Sequence, residues 1–155
     1  MLEANVSGML PLRFQFRQQD KLVGELATSF WRGNGQLELE EGTYQLYREG
    51  RFSGDFLLEL DGKVLARASK PSALRNRFEI ETPDRRLVLR KPSSVNRRLI
   101  VLDGEKEIGS IYPLGAFTRS TGIDLPDDWP LSLRVFLFWI VFSVWKRGAN
   151  QVEVS

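Results

Sequence analysis

The side chains best suited to chemistry in this 155-residue chain are basic residues clustered in its middle. Residues 63–98 carry eleven Lys or Arg and three Asp or Glu, whereas the rest of the chain carries eleven basic and seventeen acidic residues. A guanidinium group binds phosphate through two parallel hydrogen bonds, so arginines gathered on one surface can recognise phosphate. The charge distribution therefore indicates an anion-binding face in this segment.

A predicted turn at residues 83–84 sets which of these side chains face one another. A two-residue hairpin turn there pairs Glu81 with Arg86, which is a favourable cross-strand ion pair. The same register places Arg77 directly opposite Arg90 on the outer face of the sheet. Two like charges in that position lower stability, and a bound anion would relieve their repulsion.

We take the basic side chains of this hairpin and of the adjacent connections as candidate ligands for an anion or a lipid headgroup. They are Arg75, Arg77, Arg86, Arg90, Lys91, Arg97 and Arg98. The alternative interpretation is a solvated outer face whose arginine stems cover apolar surface. Specific binding of nucleic acid is disfavoured, because a single-strand reader needs exposed aromatic residues between its cations. The only aromatic residue between Lys63 and Arg98 is Phe78, which the strand alternation places inside.

The composition excludes most catalytic chemistry. The chain contains no His and no Cys, which excludes imidazole bases, thiolate nucleophiles, disulfides and the usual zinc and copper ligand sets. The carboxylate pair Asp127-Asp128 precedes a predicted helix and suits its N-terminus better than acid–base catalysis. We therefore predict a protein that is not an enzyme and that uses no cofactor and no metal ion.

Short β-strands account for most of the chain before residue 125. Apolar and polar residues alternate in run after run, and turn dipeptides such as Asn34-Gly35 and Asp61-Gly62 separate the runs. The predicted strands are Leu12–Arg17, Leu22–Trp31, Gln36–Glu40, Thr43–Arg48, Asp55–Leu60, Val64–Ser69, Arg77–Thr82, Arg85–Arg90, Arg98–Leu102, Glu107–Tyr112 and Thr118–Ile123. Most connections are too short for parallel crossovers, so the sheet is predicted to be mostly antiparallel with one buried face.

The last predicted element is a helix over Leu131–Trp145 that is apolar on every face. Pro130 precedes it, and Lys146, Arg147 and Gly148 mark its end. A barrel of about twelve strands has a backbone diameter near 24 Å, so side chains alone would leave a hole. A helix about 10–12 Å across fills that hole. We therefore predict a mainly β fold in which a closed antiparallel barrel of about 12 strands encloses one C-terminal hydrophobic helix.

A tail-anchored membrane protein is the alternative to this barrel. A spanning helix needs about 20 apolar residues. The run here has fifteen residues and includes Arg134, which costs up to roughly 3 kcal/mol at mid-bilayer. Inside a barrel, Arg134 would either pair with an aspartate at the barrel mouth or anchor a ligand within the barrel. Length and charge favour the barrel, with residues 1–155 as one domain and the central helix at about 130–147.

The order of these patterns resembles the tubby C-terminal-like superfamily, which includes LURP-one-related proteins and phospholipid scramblases. The resemblance is carried by FLLELDGKVLARA, FEIETPDRRLVLRK, the short segment IGSI and the closing run LSLRVFLFWIVFSVW, and it spans roughly Leu22 to Arg147. It implies a barrel around a C-terminal helix that binds phosphoinositides or anionic membranes, and, for scramblases, lipid transport. The chain lacks a Cys-rich palmitoylation segment and a calcium-binding signature, so no functional residue is transferred by family position.

These observations predict a non-enzymatic binding domain. Its basic outer face would recognise anionic phospholipid headgroups, such as phosphoinositides, or a protein partner, and a purely structural or interaction role is the remaining alternative. The N-terminal segment MLEANVSGML has neither a basic region nor a long apolar run, so it does not resemble a signal peptide. We expect a cytoplasmic protein, and lipid binding would make it peripheral at the inner face of the membrane.

Overall fold

Each predicted hairpin joins two strands that pair side by side, and the series of hairpins closes on itself. The computed structural model describes residues 1–29, 33–50, 54–71, 77–92, 96–115 and 119–154, with side chains up to residue 146. The strands are β1 Leu2–Met9, β2 Leu12–Gln18, β3 Lys21–Ser29, β4 Asn34–Leu39, β5 Gly42–Arg48, β6 Phe56–Leu60, β7 Lys63–Ser69, β8 Arg77–Glu81, β9 Arg86–Arg90, β10 Leu99–Asp103, β11 Lys106–Pro113 and β12 Ser120–Asp124. Strands that are neighbours in sequence pair antiparallel, and β1 pairs with β12. The predicted closed antiparallel barrel is therefore confirmed.

The strand that the sequence did not predict is β1, and it closes the barrel. Leu2 lies opposite Ile123 on β12 and opposite Gln18 on β2. Leu2 and Ala4 point into the core and are almost fully buried. The alternation along β1 is weak because small residues such as Ala4 and Gly8 provide little hydrophobic contrast. Pairing with two neighbouring strands therefore decides its conformation.

The other eleven strands lie where the sequence predicts them. Their ends differ from the predicted ends by at most two residues, which is the usual uncertainty of strand boundaries. Trp31 and Thr118, which the sequence predicts as strand ends, lie outside the described residues. Turn chemistry and alternation therefore located each of these hairpins correctly.

The helix α1 (Leu131–Val154) passes through the barrel, and its apolar side chains form the centre of the core. Every residue in the range 135–141 is at most 5% exposed. The Phe138 ring lies 5.0 Å from the Phe14 ring and 5.5 Å from the Phe16 ring, both on β2. A helix that is apolar on every face requires such enclosure, so the predicted helix inside the barrel is confirmed.

The helix begins where the sequence predicts and ends later. Its first residue is Leu131, directly after Pro130. The backbone stays helical to Val154, beyond the end that the sequence predicts near Gly148. A glycine ends a helix when it adopts a left-handed cap, whereas within the helix it costs only about 1 kcal/mol. Across the described ranges, we find no helix with the length and apolar character needed to cross a membrane.

Candidate anion-binding site

The connections between strands are divided between the two rims of the barrel. We call the end where α1 begins the proximal rim; it contains the turns after β2, β4, β6, β8 and β10, and residues 125–130. The opposite end is the distal rim, and it contains the connections after β1, β3, β5, β7, β9 and β11. Because neighbouring strands are antiparallel, every second connection lies at the same rim.

The β8–β9 hairpin has the predicted register. Arg77 lies directly opposite Arg90, and Glu81 lies opposite Arg86, with an ion pair of 3.2 Å between the last two. Arg77 begins β8 and Arg90 ends β9, so their pair lies at the distal rim, whereas Arg86 lies near the proximal rim. Four residues of strand, roughly 13 Å, separate Arg86 from Arg90. The fold therefore does not bring Arg86 together with the other candidate residues.

Three of the candidate cations have no acidic partner among the described residues. Arg77 and Arg90 are exposed and Lys91 is half-buried. Within the ranges that the structure describes, none of the three forms an ion pair. Ile100 faces outward opposite Arg90 and yet is only 5% exposed. This outer face therefore has a buried apolar side chain directly opposite an exposed arginine.

An open depression of about 450 Å³ lies at the same rim. It is lined by Asn96, Arg97, Arg98, Tyr112 and Pro113. The Arg97 guanidinium lies 4.8 Å from the Trp145 ring centroid, and the Trp145 indole N–H donates a 2.7 Å hydrogen bond to the Arg97 carbonyl oxygen. These contacts hold the β9–β10 connection against α1. The Arg98 guanidinium lies 3.5 Å from Glu107, so the charge of Arg97 is less compensated than the charge of Arg98. Arg75 lies outside the described residues.

The two rims carry opposite charge. In the described connections, the proximal rim has one basic residue, Arg85, and eight acidic residues. The acidic residues are Asp20, Glu40, Glu41, Asp61, Asp84, Glu105, Asp127 and Asp128. The described connections of the distal rim have two acidic residues and five basic residues. The basic residues are Lys70, Lys91, Arg97, Arg98 and Arg119.

The two acidic residues of the distal rim share one arginine as an ion-pair partner. Arg67 Nη1 lies 2.9 Å from a Glu49 carboxylate oxygen and 2.8 Å from an Asp55 carboxylate oxygen. The hydrogen bonds that Arg67 donates to Glu49, followed by the one that it donates to Asp55, raise the pKa of Arg67. The charge that the distal rim presents to a ligand is therefore predominantly positive.

A smaller and more enclosed cavity of about 270 Å³ opens at the proximal rim. Leu58 and Leu133 are among its apolar lining residues, and Tyr44 and Asp84 are among its polar ones. The Tyr44 hydroxyl donates a 3.2 Å hydrogen bond to a Glu41 carboxylate oxygen. Burial, followed by the charge of Glu41, raises the pKa of Tyr44. Arg85 also lines this cavity, but its guanidinium lies 3.8 Å from Asp84, so the cavity differs in charge from the predicted site.

Arg134 is buried at the proximal rim and is only 4% exposed. Its Nη1 lies 3.8 Å from Asp127 Oδ1 and donates a 3.3 Å hydrogen bond to Gln18 Oε1. Its Nε has no hydrogen-bond partner among the described residues. Burial lowers the pKa of Arg134, and the charges of Asp127 and Asp128 partly offset that effect. The predicted pairing with an aspartate at the barrel mouth is confirmed, but the side chain does not reach solvent.

Comparison with known proteins found no relative: no protein-family model, curated protein or solved structure matches this chain. The resemblance to tubby-like barrels therefore stays a prediction. In the described part of the chain, no cluster of acidic residues could hold a metal ion. The assignment of the candidate site therefore rests on its geometry and charge.

Sequence reasoning missed the separation of charge between the rims. The charge distribution along the chain locates the basic segment but does not show that its members lie at both ends of the barrel. The evenly spaced hairpin turns contained the missing signal, because alternate turns of an up-and-down barrel lie at the same end. Assigning each predicted turn to a rim would have separated Arg86 from Arg77 and Arg90.

Proposed function

We propose that the distal rim binds the phosphate headgroups of anionic phospholipids, with Arg77, Arg90 and Lys91 at the centre of the site and Arg97 beside them. The observation that carries this proposal is the pair of exposed arginines directly opposite one another, without an acidic partner among the described residues. A phosphate between two guanidinium groups accepts hydrogen bonds from both and cancels their repulsion.

The opposite charges of the two rims support the same function. A negatively charged membrane surface attracts the distal rim and repels the proximal rim, so it favours one orientation of the molecule. The cavity at the proximal rim is a poorer candidate for an anionic headgroup, because its one lining cation, Arg85, lies 3.8 Å from Asp84 and the connections of that rim are mostly acidic. Electrostatics therefore favours binding at the distal rim.

The test is cosedimentation of the purified chain with phosphatidylcholine vesicles prepared with and without a phosphoinositide. A basic residue near an anionic surface contributes about 1 kcal/mol. Arg77→Glu/Arg90→Glu should therefore weaken binding by roughly thirtyfold or more. A thermal-shift measurement with inorganic phosphate distinguishes a site for the free anion from one that needs a lipid surface.

A matched control makes the same change of net charge at the other end of the barrel. Lys63 and Lys106 are exposed and begin β7 and β11 at the proximal end. Lys63→Glu/Lys106→Glu should change binding by no more than about twofold, because salt screens charges that are far from the lipid surface. Equal losses for the two double variants, or equal binding by wild type and Arg77→Glu/Arg90→Glu, would overturn the site assignment.

A further inference from the structure

We infer that the turn between β1 and β2 is an apolar anchor that enters the anionic bilayer bound by the distal rim. The anchor is the apolar tip, which we define as Met9, Leu10 and Pro11. This inference rests on the proposed function, to which it adds a hydrophobic contribution and a defined orientation of the barrel.

Among the described residues, the apolar tip contains the two large apolar side chains with the highest exposed fractions. Leu10 is 98% exposed and Met9 is 58% exposed, and Pro11 beside them is also exposed. The other large apolar side chains that are exposed in the described ranges are Met1, Leu22 and Val64, none above 50%. Single exposed apolar residues are ordinary on protein surfaces, but consecutive ones at a projecting turn mark an interaction site.

The apolar tip lies among the cations of the distal rim. The Val6 amide donates a 3.1 Å hydrogen bond to the Arg119 carbonyl oxygen, so the β11–β12 connection runs beside β1 at this point. The strand continues for three residues, roughly 10 Å, to Met9. On the paired strand, Arg13 lies opposite Gly8. Arg13 and Arg119 are exposed, so a cation lies on each side of β1 behind the tip.

An anionic bilayer is the occupant that fits this combination. Flanking arginines match the phosphate layer, and an apolar tip matches the acyl region beneath it. A second copy of the chain could be attracted to the distal rim through its own acidic proximal rim. That contact would place Leu10 against carboxylates, whose desolvation is unfavourable. The arrangement therefore favours lipid over self-association.

Because the chain has no Cys, a single label can report on the tip. The Leu10→Cys variant is labelled with the environment-sensitive fluorophore NBD and mixed with vesicles of phosphatidylcholine and phosphatidylserine. We expect a blue shift and an intensity gain of about twofold or more, as water around the label is replaced by acyl chains. The label on a Glu105→Cys variant, at an exposed position of the proximal rim, should not change.

A matched pair of leucine variants measures the contribution of the tip to binding. Leu10→Ser should weaken vesicle binding by roughly tenfold, since one leucine no longer transfers from water into the bilayer. Leu22→Ser removes a leucine that is 46% exposed at the proximal end, and it should leave binding unchanged. Both wild-type side chains are exposed, so neither substitution removes core packing.

The outcomes separate this inference from the proposed function. Vesicle binding with unchanged fluorescence at position 10 and no loss in Leu10→Ser overturns the anchor and leaves the basic site standing. Failure of the wild type to bind any anionic vesicle overturns the proposed function, and the anchor with it. A fluorescence change that needs no vesicles and grows with protein concentration would assign the tip to contact between two copies, which also overturns the membrane anchor.

Discussion

Among single residues, two arginines on adjacent strands matter most, because their arrangement affects both the stability of the unliganded protein and the binding of an anion. Arg77 and Arg90 lie directly opposite each other, where like charges typically cost a few tenths of a kcal/mol up to about 1 kcal/mol. A site built this way is less stable when empty than when an anion occupies it. Stability and binding should therefore change in opposite directions when one of these charges is removed.

Arg77→Glu tests that relationship in the absence of ligand. We expect the free energy of unfolding to rise by about 0.5 kcal/mol, because the new carboxylate faces Arg90 and replaces repulsion with attraction. Urea unfolding at low and high salt measures the effect, which should shrink as salt increases. Arg77→Gln should give an intermediate value. A loss of stability in Arg77→Glu at low salt would contradict the repulsive pair.

Arg134 is a buried charge, and its contacts within the protein only partly replace the hydrogen bonds that it would make with water. Its contact with Asp127 is long, at 3.8 Å, and its Nε has no hydrogen-bond partner in the described part of the structure. Replacing such a charge with an apolar side chain of similar length can stabilise a protein. We expect Arg134→Met to raise the free energy of unfolding by about 1 kcal/mol, measured by urea unfolding.

The control for that variant removes the partner instead of the buried charge. Asp127→Asn should lower the free energy of unfolding, because Arg134 then keeps its charge with less compensation. If Arg134→Met were destabilised as much as Asp127→Asn, the ion pair would outweigh the desolvation of the guanidinium, contrary to our interpretation.

At the scale of elements, α1 and the inward faces of the strands stabilise one another. Phe138 on α1 is fully buried, and its ring makes edge contacts with Phe14 and Phe16 on β2. Trp139 makes a similar contact with Phe56 on β6, with centroids 5.3 Å apart. Aromatic side chains of this size bury large apolar areas and can fill a wide barrel that aliphatic side chains alone would leave open.

Phe138→Ala should therefore cost about 3–5 kcal/mol of unfolding free energy, through lost burial and the cavity left behind. The matched variant is Phe142→Ala, one turn later, where the side chain is only partly buried. We expect a smaller loss there, and both can be measured by urea unfolding. Equal losses at the two positions would indicate that the barrel does not enclose the helix more tightly around Phe138.

At the scale of the whole molecule, the alternating rims make the barrel electrically polar. Its acidic connections gather where α1 begins, and its basic connections gather at the other end with the apolar tip. The net formal charge of only +2 conceals this separation. Interaction with a charged surface should therefore depend on orientation more than on net charge.

This polarity predicts how binding depends on salt and pH. Without His or Cys, the chain has no side chain whose ordinary pKa lies between about 5 and 8. Binding to phosphatidylglycerol vesicles should vary by less than about twofold from pH 6 to 8. It should fall by at least about tenfold between 50 and 500 mM NaCl as screening increases. Cosedimentation measures both, and a steep change within that pH range would contradict the proposed contacts.

Local patterns were sufficient to predict most of the fold. The alternation in residues 77–90 and the turn at residues 83–84 predicted the register of β8 and β9 correctly, because two-residue turns pair fixed neighbours. The apolar residues on all faces of α1 predicted its enclosure, because such a helix cannot face water. The extent of α1 beyond Gly148 was not predictable in this way, since glycine has no single conformational preference.

Local patterns predicted eleven of the twelve strands, their antiparallel pairing and the start of the apolar helix, because alternation, turn residues and the residues before a helix are local properties. The pairing of Leu2 with Ile123, which closes the barrel, is a long-range contact that no local pattern predicts. The position of the β1–β2 turn at the same rim as Arg119, and the difference in charge between the two rims, are also properties of the tertiary structure. These features join residues that are distant along the chain, and the physical reason is that barrel closure brings them to the same end of the molecule.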